Sequence, residues 1–355
     1  MFNTDKLAKK LDGVADAALI FSEENRRYFT QFPSTAGVLL VYADKALFFT
    51  DSRYTEAAAK CIGKELVTDS SNVYEKLTEI FRENNIKKIA VENDKMTLAQ
   101  FESLKKQLPD CEFDTSDALA MAIEEIRIVK ADSEIEKIKA AQKIAEDAFS
   151  HILTFIKPGV TEKEISLELD FYMLSHGAEA VSFETIAVAG KNSSMPHGVP
   201  GDYKVQNGDF ITLDFGATVD GYHSDMTRTV ILGTPSEKQR EVYETVLRAQ
   251  TESLAVLKEG ITGFDADKVA RDIITAAGYG DNFGHGLGHG VGVEIHEAPN
   301  LSPRSKHTLT AGNVVTDEPG IYLPGEFGVR IEDMALITEN GHINLTSCPK
   351  ELIIL

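Results

Sequence analysis

The residues best suited to chemistry lie beyond position 190 of this 355-residue chain. In order they are His197 in MPHG, Asp214 in TLDFG, Asp225 in SDMTRT, His285 and His289 in GHGLGHG, His296 in EIHE, Glu318 in DEPG, and Arg330 with Glu332 in VRIED. The stretch DFITLDFGATVDGYHSDMTRTVIL reads as two strands joined at Asp220-Gly221, a strong two-residue hairpin signal. Pairing Val219 with Tyr222 sets Asp214 opposite Thr227 and Asp225 opposite Gly216. Residues two apart on a strand share a face. Asp214 and Asp225 therefore point the same way, as diagonal neighbours about 7–8 Å apart at Cα. Asp214 interrupts the apolar run FITLDF, where an unpaired carboxylate is costly. Arg228 could neutralise one of these aspartates but not both.

Glu318 and Glu332 repeat the problem. Glu318 ends the apolar run NVVTDE, and Glu332 lies within the strand-like GVRIEDMALIT. Alone, each could be exposed or paired with Arg330. Four carboxylates on apolar strands need more positive charge than one arginine supplies. His285, His289 and His296 also fall within twelve residues. GHGLGHGVG is too rich in glycine for a helix interior, so His285 and His289 are not a helical zinc pair. Such a stretch lets backbone approach a ligand closely. The carboxylates and histidines together point to a metal centre. An oxygen-rich donor set with one histidine suits hard or borderline divalent ions, manganese foremost. Four carboxylates balance two such ions, and an ion pair can share a water of lowered pKa, the usual nucleophile of two-metal hydrolysis.

The elements that must position these groups follow from the periodicities. Up to about residue 124 the chain alternates strands and helices. GVLLVY (37–42), ALFFTD (46–51) and IKKIAVE (86–92) read as strands, and 72–85 carries its apolar residues on one helix face. This is an α/β domain without a glycine-rich phosphate loop, suited to a scaffold or subunit interface. A long helix then opens at a Ser133–Glu136 capping box and stops at Pro158-Gly159. Lys157-Pro-Gly-Val-Thr161 is echoed by Lys258-Glu-Gly-Ile-Thr262, each after an amphipathic helix. Thr161 with Glu164 and Thr262 with Asp265 start second helices that end near Gly177 and Gly278. The constant offset predicts a duplicated half-domain with a cleft between its halves, where sites usually sit.

Composition narrows the function. Formal net charge is −20, which disfavours nucleic acid and anionic membrane surfaces as partners. The three cysteines show no paired spacing and suit a reducing compartment. The first residues contain no apolar run of signal-peptide length, and no uncharged stretch approaches the roughly 20 residues that span a bilayer. A cytoplasmic protein is expected.

These motifs resemble those of the proline-directed metallopeptidases of the pita-bread fold, the aminopeptidase P and prolidase branch of peptidase family M24. The resemblance covers nearly the whole chain. It implies an α/β N-terminal creatinase-like domain over residues 1–125 and an α+β duplicated pita-bread catalytic domain over 130–355. It implies two divalent ions, with cobalt or zinc as alternatives to manganese. Their ligands would be Asp214, Asp225, His289, Glu318 and Glu332, with Asp225 and Glu332 as bridges. His197 and His296 would bind substrate and stabilise the tetrahedral intermediate, and Glu318 would shuttle protons. Arg330 would order the carboxylates, and His285 would have no catalytic role.

The activity implied is attack by a bridging hydroxide on the bond between an N-terminal residue and a following proline. The expected protein is a homodimeric Xaa-Pro aminopeptidase acting on peptides with proline at the second position. The alternatives are a prolidase restricted to Xaa-Pro dipeptides and a non-catalytic binding protein on the same fold. Two features depart from the family pattern. Asp317 stands where relatives carry an aliphatic residue, and strand alternation turns it away from Glu318's face. HEAP is followed by Asn300 rather than the arginine of some dipeptidases, with Arg304 further on, which favours longer peptides.

Overall fold

The structure, a computed structural model, describes residues 1–69 and 72–355. The chain divides into two units, Met1–Arg127 and Ile128–Leu355.

In the first unit the three expected strands form at Val38–Tyr42, Lys45–Thr50 and Lys88–Val91. They belong to a six-stranded mixed sheet. Its centre is a strand the sequence reading did not name, Ala17–Ile20, antiparallel to Val38–Tyr42 and parallel to Lys88–Val91. A four-residue run buried at every position shows no alternation, so periodicity cannot reveal it. Helix Val73–Glu83 turns Leu77 and Phe81 onto this sheet, and helix Leu98–Gln107 adds Leu104.

The second unit is built twice over. Helices Asp132–Phe155 and Glu162–Ser175 form the first pair, and Glu237–Val256 and Gly263–Ala276 the second. The Thr161 side chain accepts from Glu164 N and the Thr262 side chain from Asp265 N. The turns before them match as well: Gly159 N donates to Val205 O at 2.8 Å and Gly260 N to Leu309 O at 2.9 Å. Both glycines have positive φ, 91° and 86°, which makes glycine the favoured residue there.

The first long helix starts differently from the sequence expectation. It begins at Asp132, and Glu134 reaches back to accept from Ala131 N at 2.9 Å. Glu136 instead meets Lys139. Glu134 wins because it is buried and also accepts the Tyr222 hydroxyl.

Each half has its own apolar core of helix faces against strands. Strand Phe210–Phe215 is buried along its whole length. Ile211, Leu213 and Phe215 face the first half's helices, whereas Phe210 joins the second half's core. Asp214, by alternation, lies on the side turned toward the second half. Among the described residues no helix is long and apolar enough to cross a membrane.

Candidate metal centre

The hairpin register is the one the turn dictates. Asp214 pairs with Thr227 and Val219 with Tyr222, around Asp220-Gly221 with φ of 48° and 79°. Positive φ at both positions marks a type I′ turn, whose twist suits the flanking strands. Asp225 precedes strand Met226–Ile231, which buries Met226 and Val230 in the first core. Asp225, Thr227 and Thr229 occupy the opposite face.

Strand Val314–Asp317 works the same way from the other half. Val315 enters the second core. Thr316 and Glu318 alternate onto the site side, and Asp317 turns back to helix Glu237–Val256. There Ser253 Oγ lies 2.8 and 3.0 Å from the Asp317 carboxylate oxygens. The single strand expected over GVRIEDMALIT is two, Phe327–Arg330 and Asp333–Thr338, which pair in different sheets. Glu332 sits at the break, where the chain leaves one partner strand for the other.

Three of the predicted ligands, Asp225, His289 and Glu332, offer oxygen or nitrogen atoms all within 4.8 Å of one another. His289 Nε2 lies 3.4 Å from Glu318 Oε1 and 3.6 Å from Asp225 Oδ2. Thr227 Oγ1 donates to Glu332 at 2.7 Å. Arg330 is the cation of the cluster: Nη2 donates to Asp214, Nε to Thr227 Oγ1 and Nη1 to Tyr322. Arg228, the sequence-level candidate for that pairing, faces away and holds Asp333 and the carbonyls of Glu332, Cys348 and Pro349. Strand alternation separates the two arginines' targets.

The charge balance is unfinished. Asp214 Oδ1 and Asp225 Oδ1 are buried with no hydrogen-bond partner, a costly state for carboxylates. Burial, then the charges of Asp214 and Glu318, hold the Asp225 carboxyl well above its ordinary range. Burial and the charges of Asp225, Glu318 and Asp214 do the same to Glu332. Burial, opposed by Arg330 and reinforced by Asp214, pushes Glu318 up to about 8. Burial and neighbouring His296 bring His289 down to about 4, leaving a neutral imidazole able to ligate. Orphaned oxygens, oxygen-rich donors and a neutral histidine fit divalent cations.

The cluster floors a cleft of about 940 Å³ that His197, His285 and His296 also line. His296 and His289 stand with ring centroids 4.3 Å apart. His285 is tied to Tyr322 Oη at 3.0 Å, so it buttresses Arg330's partner. Gly286 and Gly288 of GHGLGHGVG line the cleft, and strand packing separately requires glycine at Gly288 and Gly290. A Cβ on Gly288 would lie 2.1 Å from Thr316 O, and one on Gly290 2.2 Å from Ala298 O. Thr227, Thr316 and Tyr322 were missed from sequence; the two threonines were signalled only by sharing a face with Asp225 and Glu318. Arg304 and Lys306 line the same cleft. Asn300 lines it too, so an arginine stands in the cleft wall despite its distance from HEAP.

Residues 136–339 match Metallopeptidase family M24, and residues 5–129 match the Creatinase/Prolidase N-terminal domain. The chain belongs to metallopeptidase family M24. Among relatives of this M24 chain, the Xaa-Pro dipeptidase of Pyrococcus horikoshii is 38% identical, over 95% of this chain and 94% of the relative. A solved Xaa-Pro dipeptidase from Bacillus anthracis superposes with a TM-score of 0.95 at 44% identity, covering 99% of both chains. A solved X-Pro aminopeptidase from Thermotoga maritima has a TM-score of 0.91 at 38% identity, covering 98% of this chain and 100% of its own.

Proposed function

We propose that this M24 chain is a metal-dependent Xaa-Pro dipeptidase. The carrying observation is the cleft itself. Its floor holds the ligand cluster with two orphaned carboxylate oxygens, and its wall includes Arg304 and Lys306. A dipeptide presents a free carboxylate close to its scissile bond, and an arginine matches that group in shape and charge. Two of the three relatives named above are Xaa-Pro dipeptidases and one is an X-Pro aminopeptidase, a balance that supports the dipeptidase reading over the longer-peptide aminopeptidase first expected.

Asp214, Asp225, His289, Glu318 and Glu332 would hold two divalent cations, manganese foremost by the hardness of the donors. When bound, such a pair supplies Lewis acidity and a water of lowered pKa. The protein's own residues supply the rest. His296 donates a hydrogen bond where the carbonyl oxygen gains charge. His197, which lines the same cleft, holds the substrate in register. Glu318, poised to carry a proton, takes one from the attacking water and delivers it to the leaving nitrogen. Like any amide nitrogen it must gain a proton to leave as an amine, and because it belongs to proline it has no N–H for the enzyme to hold before the bond breaks. A reducing compartment and a homodimer complete the proposal.

Hydrolysis of Gly-Pro against Gly-Pro-Gly with added manganese tests it. Preference for the dipeptide is expected. Cleavage of the tripeptide alone would return the chain to the aminopeptidases, and no hydrolysis of either would defeat the enzyme reading.

A further inference from the structure

Lys130 is a buried lysine just ahead of helix Asp132–Phe155. Its Nζ donates to Glu297 Oε1 at 2.7 Å, with the two side chains 1% and 8% exposed. A buried ammonium is costly unless paired, and this segment is held firmly enough to pair it. Lys130 N donates to Gly312 O, and Asn313 Nδ2 donates to Ile128 O, both at 2.9 Å.

Glu297 directly follows His296 and opens strand Glu297–Leu301, where it pairs with Gly290 of strand Gly288–Gly290. Residues 291–296 are thus a loop closed by Gly290 and Glu297, with His289 on one side and His296 on the other. The Glu297 carboxylate lies against that loop: a Cβ on Gly292 would be 2.5 Å from its Oε1, and Glu294 N donates to its Oε2 at 3.4 Å. Gly292 O in turn accepts from His223 N at 2.9 Å, which ties the loop to the hairpin leading to Asp225. The same hairpin is held at Tyr222 by Glu134, one turn into the helix that Lys130 precedes.

We propose that Lys130 is a positioning residue for the site: through Glu297 it fixes the loop that sets His296 against His289. The claim rests on the role given to His296 above. It predicts more than a structural ion pair does. Losing the anchor lets the loop shift while both units stay folded, and a misplacement of about 1 Å can cost on the order of 10²-fold in rate.

The test compares Lys130→Met with the double variant Lys130→Met/Glu297→Gln in the full chain. Lys130→Met removes the ammonium beside the Glu297 carboxylate and should lower the melting temperature. The double variant removes that charge and should recover most of the melting temperature. Its kcat should stay depressed on the order of 10- to 100-fold, with KM and bound metal unchanged. In histidine-labelled protein the imidazole signal of His296, assigned by its loss in His296→Asn, should move or broaden in both variants. Recovery of kcat together with melting temperature, or an unmoved His296 signal, overturns the proposal. If the methionine variants do not fold, Glu297→Asp keeps both charges, shortens the reach and carries the same readouts. The imidazole signal also separates this proposal from the peptidase reading, because it is observed whether or not the wild type cleaves Xaa-Pro.

Discussion

Arg330 neutralises one oxygen of Asp214 and leaves the other buried without a partner. Four of the guanidinium's five N–H donors are engaged, by Asp214, Thr227, Tyr322 and the Pro196 carbonyl. Asp225, Glu318 and Glu332 need more positive charge than this one guanidinium supplies.

Asp225→Asn and Glu332→Gln remove a ligand charge from a site that is overcharged when empty. Both variants should fold, with melting temperatures in chelator equal to or above the parent's. Both should lose manganese and more than about 100-fold in activity, beyond the loss typical of outer hydrogen-bond partners. Metal analysis beside a steady-state assay checks this, and full activity in either variant refutes the ligand assignment.

Chelation should make stability depend on pH in a definite sense. The folded Glu318 carboxyl is raised from 4.5 to about 8, so the folded state keeps a proton that the unfolded chain releases. Its contribution is present below pH 4.5 and lost as pH rises toward 8. Asp225 and Glu332 shift in the same direction. The melting temperature of the metal-free protein should fall across this range, and the gain on adding manganese should be largest near its upper end. A chelated protein equally stable throughout contradicts this.

Arg304→Ala should raise KM for Gly-Pro about tenfold, equivalent to ~1.4 kcal/mol of lost charge-assisted binding. It should leave kcat and metal content unchanged. KM for a C-terminally amidated Gly-Pro should respond far less, because no carboxylate remains to lose its partner. Equal effects on both substrates argue against a carboxylate contact.

Gly288→Ala places a methyl 2.1 Å from the Thr316 carbonyl oxygen. Backbone has to move, at a cost of about 1–3 kcal/mol or more. Thr316 also receives His289 N and lies 3.3 Å from Glu318, so the ligands on the two strands should separate. Denaturant unfolding and metal titration should show both losses.

Much of this was legible in the sequence where the physics is local. The Asp220-Gly221 turn admits one register, and a side-chain period of two then places Asp214 and Asp225 on one face. The threonine caps at Thr161 and Thr262 exposed the duplication because a cap involves only three or four consecutive residues. The first unit was less legible: its central strand, Ala17–Ile20, is recognisable only by the neighbours that bury it.

Tertiary structure decided what depends on residues far apart in the chain. Which arginine serves Asp214, and where Arg304 lies in the cleft, follow from how separate strands and loops meet. Asp317 finds Ser253 across 64 positions, and Lys130 finds Glu297 across 167. Sequence alone marked several costly carboxylates and a histidine as candidates to share cations, because residue type and local alternation carry that information. How Arg330 divides its bonds, and which oxygens it leaves open, depended on packing two halves together, since hydrogen bonds require contact and contact between distant segments is set by the fold.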